Sequence, residues 1–260
     1  MQSSFLDPAV LRYAGPASHT DTRLFLSVDT PETIALMYEL WNGYSGAPGL
    51  LDAGPGKKYL YDPARHVYRN TATGSEVRAV QLIRYVRNVS YEAGVRMKKS
   101  TQQLIAGTIM LSIWYGRMRN LMRALYKTIW ILGIGGFVFD DDTQRNLFYL
   151  FTLLQFNYFD NFTEQVYSGI QPLDGRAMSR AGMYGSYGNA LHQNMDLVEA
   201  EPRGYSEAKR ILGDNENHCV AGERPGCIDL ALQGWIPVRA MLPIGSAQCF
   251  SMCHCRIIYR

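Results

Sequence analysis

The chain has 260 residues, of which 47% are hydrophobic and 19% are charged. This composition is typical of a globular protein with a substantial core, and it excludes a disordered, low-complexity or collagen-like chain. Lys and Arg number 26 against 23 acidic residues. The resulting surplus of +3 is too small to indicate, by itself, a nucleic-acid or anionic-membrane partner.

The N-terminus lacks the basic start and the unbroken apolar run of a secretory signal, so we expect a protein that is made and used without secretion. The most apolar stretch, Ile129 to Phe139, has 11 residues. Because a membrane-spanning helix needs about 20, we expect a buried segment and no membrane partner.

The N-terminal region predicts an irregular arm. Thr30 is a suitable N-cap for a short helix that Gly43 ends, and residues 45–58 follow as a flexible connection. Tyr59–Asp62 and His66–Arg69 predict two short strands in a hairpin. The arm is rich in apolar residues that need covering, so we expect it to attach to a neighbouring subunit.

Long helices are predicted from Thr73 onward. Thr73 and Glu76 have the spacing of a capping box, after which apolar residues recur on one helical face. These are Val77, Val80, Ile83, Val86 and Val89. A second helix is predicted from about Ser112, with a continuous apolar seam at steps of three or four residues. The seam is Trp114, Met118, Leu121, Leu125, Ile129 and Leu132.

The third predicted helix begins at Asp140, Asp141 and Asp142, which complement its dipole, and ends at Gly169. It is apolar almost all round, so we expect it to be central in the bundle or covered by a partner. The apolar residues include Leu147, Leu150, Phe151, Leu154, Tyr158, Phe162 and Val166.

A fourth helix is predicted over Arg176 to Val198, with a stripe of small residues that lets another helix approach closely. The stripe is Ala181, Gly182, Gly185, Ser186 and Asn189. Ser206 to Leu212 then predicts a short helical piece. The fold class is therefore mainly α, with an N-terminal arm over residues 1–72, a helical body over 73–205 and a cysteine-rich module containing short strands over 206–260.

All five cysteines lie in that module and are the strongest chemical signal: Cys219, Cys227, Cys249, Cys253 and Cys255. Thiolates are the ligands that Zn²⁺ prefers, and a structural site takes four ligands from two separated parts of the chain. In an extended chain Cys253 and Cys255 point to one side, with His254 pointing away. The pattern leaves three alternatives open: one structural Zn²⁺ on four of the five thiols, disulfides, or unligated thiols.

Other motifs favour a structural protein over an enzyme. Arg119, Arg123 and Lys127 recur every four residues; such a stripe suits phosphate or an acidic partner, but it is also typical of a solvated face. Gly54–Lys58 lacks the spacing of a phosphate-binding loop. The five histidines are scattered, and no nucleophile has an evident base, so we expect no enzymatic activity.

Three segments are similar to a known family: residues 101–122, residues 169–185, and the module from Ile211 to Tyr259 with its Gly234-Trp235-Ile236-Pro237 turn. They resemble the minor head proteins of tailed bacteriophages, the head-morphogenesis group loosely related to the F protein of phage Mu. That group usually has a tight C-x-x-C at the first pair of cysteines, whereas seven residues separate Cys219 from Cys227 here.

The resemblance implies a structural virion protein, portal-associated, that acts in head assembly through protein contacts. The expected partners are portal, major capsid or neck proteins, with packaged DNA as a further one, and a homo- or hetero-oligomeric state in the particle. The expected location is the virion, and the host cytoplasm during assembly. An alternative is a nucleic-acid-binding protein that uses a cysteine-rich zinc module and the basic helix face.

Overall fold

The computed structural model describes residues 50–52, 57–62, 64–65, 67–133, 142–213, 218–222, 224–248, 253 and 255–260. The helix predicted from Thr30 to Gly43 and the rest of the arm before residue 50 lie outside these described residues.

The described chain is mainly α, which confirms the predicted fold class: 58% of the described residues are helical. The helices are α1 (Ala79–Ile105), α2 (Leu111–Gly133), α3 (Asp142–Tyr167), α4 (Gly175–Ala200) and the short α5 (Cys227–Leu232), followed by a 3-10 turn at Val238–Ala240. None of the described helices is long and apolar enough to cross a membrane.

Two small antiparallel sheets flank the helices. The first contains β1 (Leu50–Asp52), β2 (Lys58–Asp62) and β3 (Val67–Asn70) in that order. The second contains β4 (Glu207–Ile211), β5 (Ile236–Pro237) and β6 (Arg256–Tyr259), with β4 in the middle.

The predicted hairpin is confirmed as β2 and β3, but the connection before it is not all flexible. Leu50–Asp52 pairs with β2 as a third strand, which the flanking Gly and Pro residues concealed. Tyr59 and Tyr68 are buried, and the Tyr68 hydroxyl donates to the Leu132 carbonyl at 3.0 Å. The hairpin is therefore packed on the end of α2.

The short helix predicted over Ser206 to Leu212 is wrong, because these residues form strand β4. Its exposure alternates along the strand, with Ala208 and Arg210 fully buried. Such a two-residue period belongs to a strand with one covered face. Pairing with β5 and β6, which are distant in sequence, decides the outcome over local helix propensity.

The first long helix begins later than predicted. Thr73 and Glu76 do not cap it: Glu76 forms an isolated bridge with Arg69, and the Val77 amide donates to Tyr68. The helix starts at Ala79, and Gln81 Oε1 accepts from the Arg78 amide at 2.9 Å. Since the chain is still bound to β3 up to Val77, Val80 lies 52% exposed instead of in the core.

The predicted seam of α2 is confirmed, since all six of its members are buried. Only part of the predicted apolar set of α3 is buried beside this seam. Phe159 and Phe162 are fully buried and pack around Trp114 with ring centroids 5.4 and 5.5 Å away, whereas Tyr158 is 41% exposed. The side chains of Leu147, Leu150, Phe151 and Leu154 lie outside the described part of the chain.

Among the described helices the central one is α4. Of the two alternatives predicted for α3, a central place is wrong, and cover by a partner stays a prediction. An unbroken run of α4 residues, from Tyr187 to Met195, is buried, while α3 leaves Leu153 and Tyr158 exposed. α4 packs against α1, α2, α3 and β6. A helix surrounded in this way buries polar groups as well: burial lowers the pKa of the His192 imidazole and keeps the ring neutral.

The close approach predicted for the small-residue stripe occurs at the crossing of α1 and α4. A Cβ atom placed on Gly185 would lie 2.6 Å from the Gly94 Cα and 2.8 Å from the Ser90 carbonyl oxygen. A Cβ on Gly94 would lie 3.1 Å from the Gly182 carbonyl oxygen. The two backbones are in direct contact, so only glycine fits at Gly185.

We expect Gly185→Ala to lower the free energy of unfolding by about 1 to 3 kcal/mol, the usual cost of overpacking a filled core. The matched control is Gly116→Ala on α2, where an added Cβ meets nothing within 4 Å. Alanine there should stabilise by up to about 1 kcal/mol, because it is the better helix former. Urea unfolding of both variants measures the difference; a Gly185→Ala protein as stable as the wild type would contradict the close crossing.

Candidate metal centre

Three cysteine side chains converge in the second half of the module. Cys227 is the first residue of α5, and Cys253 and Cys255 directly precede β6. All three are buried, and their Sγ atoms lie within 4.8 Å of one another. The Cys227 and Cys253 Sγ atoms are 3.7 Å apart. The structure thus brings together residues that are up to 28 positions apart in the sequence.

The second sheet places these thiols. β6 pairs with β4 from Ile211 opposite Arg256 onward, which fixes the chain immediately after Cys255. The Sγ atom of Cys253 lies beside that of Cys255, within 4.8 Å of the other two sulfur atoms. On the other side, the Gln248 amide donates to the Pro225 carbonyl at 3.1 Å and holds the start of α5 nearby.

The spacing of the three sulfur atoms suits a metal ion. In a tetrahedral site with Zn–S bonds of about 2.3 Å, neighbouring sulfurs are about 3.8 Å apart, close to the 3.7 Å between Cys227 and Cys253. A disulfide would need about 2.05 Å between the sulfurs, and none of the three cysteines forms one. The three buried cysteines therefore lie close enough together to hold a metal ion.

The surroundings of the Cys255 thiol disfavour its negatively charged form when no positive charge is nearby. The hydrogen bond with Cys253 and burial raise the pKa of the Cys255 thiol well above its usual range, while a backbone hydrogen bond from Gly213 opposes them. Neighbouring thiolates would repel one another in a low-dielectric environment. A divalent ion supplies the positive charge that three adjacent thiolates require.

Cys219 lies beside this cluster. It is half-buried, and its Sγ accepts the Cys227 backbone amide at 3.3 Å. Amide donation to sulfur favours the thiolate form of a cysteine, the form that binds metals. Cys249 and His254 lie outside the described residues, so the predicted fifth thiol and the predicted outward histidine stay predictions.

The three basic residues predicted to form a stripe on α2 lie in different environments in the structure. Arg119 donates to Asp160 of α3 at 3.0 Å and lies over the Tyr115 and Phe156 rings. Lys127 is half-buried, and burial lowers the pKa of its ammonium group. Among the three, Arg123 is the exposed one. The stripe is not the continuous solvated or phosphate-binding face that its spacing indicated.

Sequence reasoning missed the polar residues that fix the module on α4. The Asn194 amide donates to the Ile244 carbonyl at 3.1 Å and accepts the Ile244 amide at 2.8 Å. Gln193 accepts the Ile257 amide at 3.0 Å. The fully buried Arg210 donates to the carbonyls of Leu242 and Pro243. These contacts support strand β6, which directly follows Cys255, and the segment from Leu242 to Ile244.

A signal for these contacts was present in the sequence. Asn, Gln and His side chains follow one another from His192 to Asn194 in the middle of a helix, where polar groups are buried only if they have partners. The identity of those partners depends on chain segments 50 and 64 residues away.

Comparison with known proteins gives no significant match to a protein family model, a curated protein or a solved structure.

We expect Asn194→Ala to lower the free energy of unfolding by about 2 to 4 kcal/mol, because the amide and carbonyl of Ile244 would remain buried without partners. Asn161→Ala, at an exposed position of α3, is the control and should change stability by less than about 0.5 kcal/mol. Urea unfolding and limited proteolysis of the module check this. Equal stability of the two variants would contradict the role of the Asn194 contact.

Proposed function

We propose that this protein is a structural component of a tailed-phage virion, a minor head or portal-associated protein whose cysteine-rich module is stapled by one zinc ion. The observation that carries the proposal is the convergence of Cys227, Cys253 and Cys255. They are cysteines of the module whose sequence resembles the head-morphogenesis group. The role we assign is assembly of the head through protein contacts, without catalysis.

Zinc is the metal that suits these ligands. Soft thiolates select Zn²⁺, Cu(I) or iron–sulfur clusters. Of these, Zn²⁺ has no redox chemistry, so it suits a structural site. Four thiolates complete its tetrahedron. Cys227, Cys253 and Cys255 supply three of them, and Cys219 supplies the fourth from its place beside the Cys227 amide. Cys249 is the competing fourth ligand.

In this module the zinc ion would act as a cross-link between two parts of the chain. It joins the start of α5 to the start of β6 and so closes a loop with 25 residues between Cys227 and Cys253. Closing such a loop restricts the unfolded chain, and binding free energy at a structural zinc site is folding free energy. In its described residues the module has strands of two to five residues and an α-helix of six, so a cross-link would add stability to short elements.

The resembling segments pack together, which supports a shared architecture. Residues 101–122 cover the end of α1 and the first half of α2, and residues 169–185 cover the start of α4. α4 packs on α1 and α2, and its Gln193 and Asn194 hold the module. The three segments that resemble the head-morphogenesis group therefore lie in one packed unit of the structure.

An exposed apolar segment supports action through protein contacts. Tyr167, the last residue of α3, is 75% exposed, and in the connection to α4 Ile170 is 76% and Leu173 41% exposed. Single exposed apolar residues are normal on a protein surface, but a group at the tip of a helical hairpin is typical of a contact with another protein. We assign this tip to a neighbouring portal, capsid or neck protein, first in the host cytoplasm and then in the virion.

The zinc proposal predicts one Zn²⁺ per chain in protein purified under reducing conditions. Cys227→Ser, Cys253→Ser and Cys255→Ser should each weaken zinc binding by at least about tenfold, or about 1.4 kcal/mol. Chelation should unfold the module while most of the helical circular-dichroism signal remains. Elemental analysis and chelator competition measure this.

Cys219→Ser and Cys249→Ser distinguish the fourth ligand. Only the variant that removes the ligand should weaken and shift the absorption of thiolate-bound Co²⁺ in the substituted protein. A zinc content well under one ion per wild-type chain would contradict the metal proposal. The virion proposal is tested separately, by the experiment on purified particles.

The virion proposal predicts that mass spectrometry of purified particles finds this protein at a fixed low copy number. Tyr167→Ser combined with Ile170→Ser should give a folded protein that enters particles several-fold less often, because the apolar tip is lost. Leu232→Ser, at a side chain 80% exposed on α5, is the matched control and should be incorporated normally. Absence of the wild-type protein from particles would overturn the proposal.

A further inference from the structure

The outward face of α1 carries an unpaired row of positive charge. Arg84, Arg87, Lys98 and Lys99 are all exposed, and Tyr91 between them is 69% exposed. We call these five residues the α1 basic face. None of its four cations makes an ion pair or a hydrogen bond with the described residues, in contrast to Arg119, which is paired with Asp160.

Helix geometry puts these five side chains on one side. At 3.6 residues per turn, they fall within about a third of the helix circumference and span about 22 Å along its axis. The opposite side is buried in the core through Val86, Ala93, Met97 and Leu104. The close crossing at Gly94 fixes which side of α1 meets α4, and the stem of the Lys98 side chain lies over Gly182 of α4 at the margin of the face.

The charge is concentrated here, not spread over the chain. From Arg78 to Ile105 there are six basic residues and one acidic residue, Glu92, so this segment alone carries more than the chain's entire surplus of +3. Glu92 lies at the margin of the face, one residue after Tyr91. Four cations brought this close without counter-charges repel one another, and a polyanion relieves that repulsion.

We propose that the α1 basic face binds the phosphate backbone of duplex DNA without sequence preference. Arg side chains donate in pairs to phosphate oxygens, Lys supplies compact charges, and a Tyr hydroxyl donates to phosphate as well. A rigid row of cations along about 22 Å matches an extended chain of phosphates, and the contact needs no groove of its own. This surface is distinct from the zinc site, and its occupant does not depend on the metal.

Other polyanions fit the face less well. An amphipathic helix that lies on an anionic membrane needs a broad apolar side with Leu, Phe or Trp, whereas Tyr91 and Val95 are the large apolar residues exposed within this row. A specific protein interface needs a buried apolar centre with a polar rim. The row offers charge with little apolar surface, which suits a uniform phosphate backbone.

The test uses the full-length, zinc-loaded protein and a fluorescent DNA duplex of mixed sequence, with anisotropy measured over a range of KCl concentrations. If four cations contact phosphates, the logarithm of the association constant should fall against the logarithm of the salt concentration with a slope of about −3.6, or about −0.9 for each contact. The quadruple variant R84Q/R87Q/K98Q/K99Q should lose measurable binding.

The matched control removes four exposed cations elsewhere: K57Q, R65Q, R176Q and R239Q. It lowers the net charge equally and should keep most of the wild-type slope. Each single variant of the α1 basic face should reduce the slope by about 0.9, which tests the surface even if the quadruple variant does not fold. Zinc content is measured for every variant, so a lost metal is distinguished from a lost DNA contact.

Equal loss of binding in the two quadruple variants would overturn the proposal, because overall charge would then explain it. Tighter binding to polyglutamate or to anionic phosphatidylserine vesicles than to DNA, at the same salt concentration, would likewise overturn it in favour of an acidic protein or a membrane. Absence of wild-type binding at low salt would also refute it.

Discussion

The crossing of α1 and α4 is the contact on which the rest of the molecule depends. At Gly94 and Gly185 the two helix backbones touch, without side chains between them. Helices at this distance exclude water along the whole crossing and gain dispersion contacts that larger residues would prevent. The glycines lower the intrinsic helicity of α4, and tertiary packing offsets that cost.

Because α1 is so close, α4 is covered on every side from Tyr187 to Met195. Ser90 of α1 and Ile129 of α2 both approach Gly188, and Tyr126 donates to the Tyr184 carbonyl at 2.8 Å. A helix in this position has no solvated face, so its polar side chains need partners inside the protein. Gln193 and Asn194 find them in the cysteine-rich module. The same burial that centres α4 thus docks the module and orders the chain that carries the thiols.

The charges of the helices follow the same geometry. α1 packs its apolar side against α4 and α2, so its cations lie on the surface. There they stay hydrated, and no desolvation free energy is lost. On α2 the comparable stripe is partly enclosed by α3, and Arg119 has a carboxylate partner while Lys127 is half-buried. Two stripes of similar spacing in the sequence therefore differ in what they can contact.

Local pattern was sufficient for several parts of the protein. The sequence alone determined the mainly α class, the α2 seam from Trp114 to Leu132, the β2–β3 hairpin and the use of small residues on α4 for a close approach. In each case the element is predicted by hydrophobic residues that recur every two or 3.6 residues, or by closely spaced glycines. The same residues form the surface that packs on the neighbouring element.

Tertiary structure decided the rest, because it depends on pairs of residues distant in the sequence. Glu207–Ile211 form β4 because β5 and β6 supply hydrogen-bond partners, and Glu76 pairs with Arg69 of β3 and does not cap a helix. The sequence indicated a thiol cluster, but only the fold selected Cys227, Cys253 and Cys255 to lie within 4.8 Å of one another. That selection depends on the register of β6 against β4 and on Asn194 and Gln193, which no local period encodes.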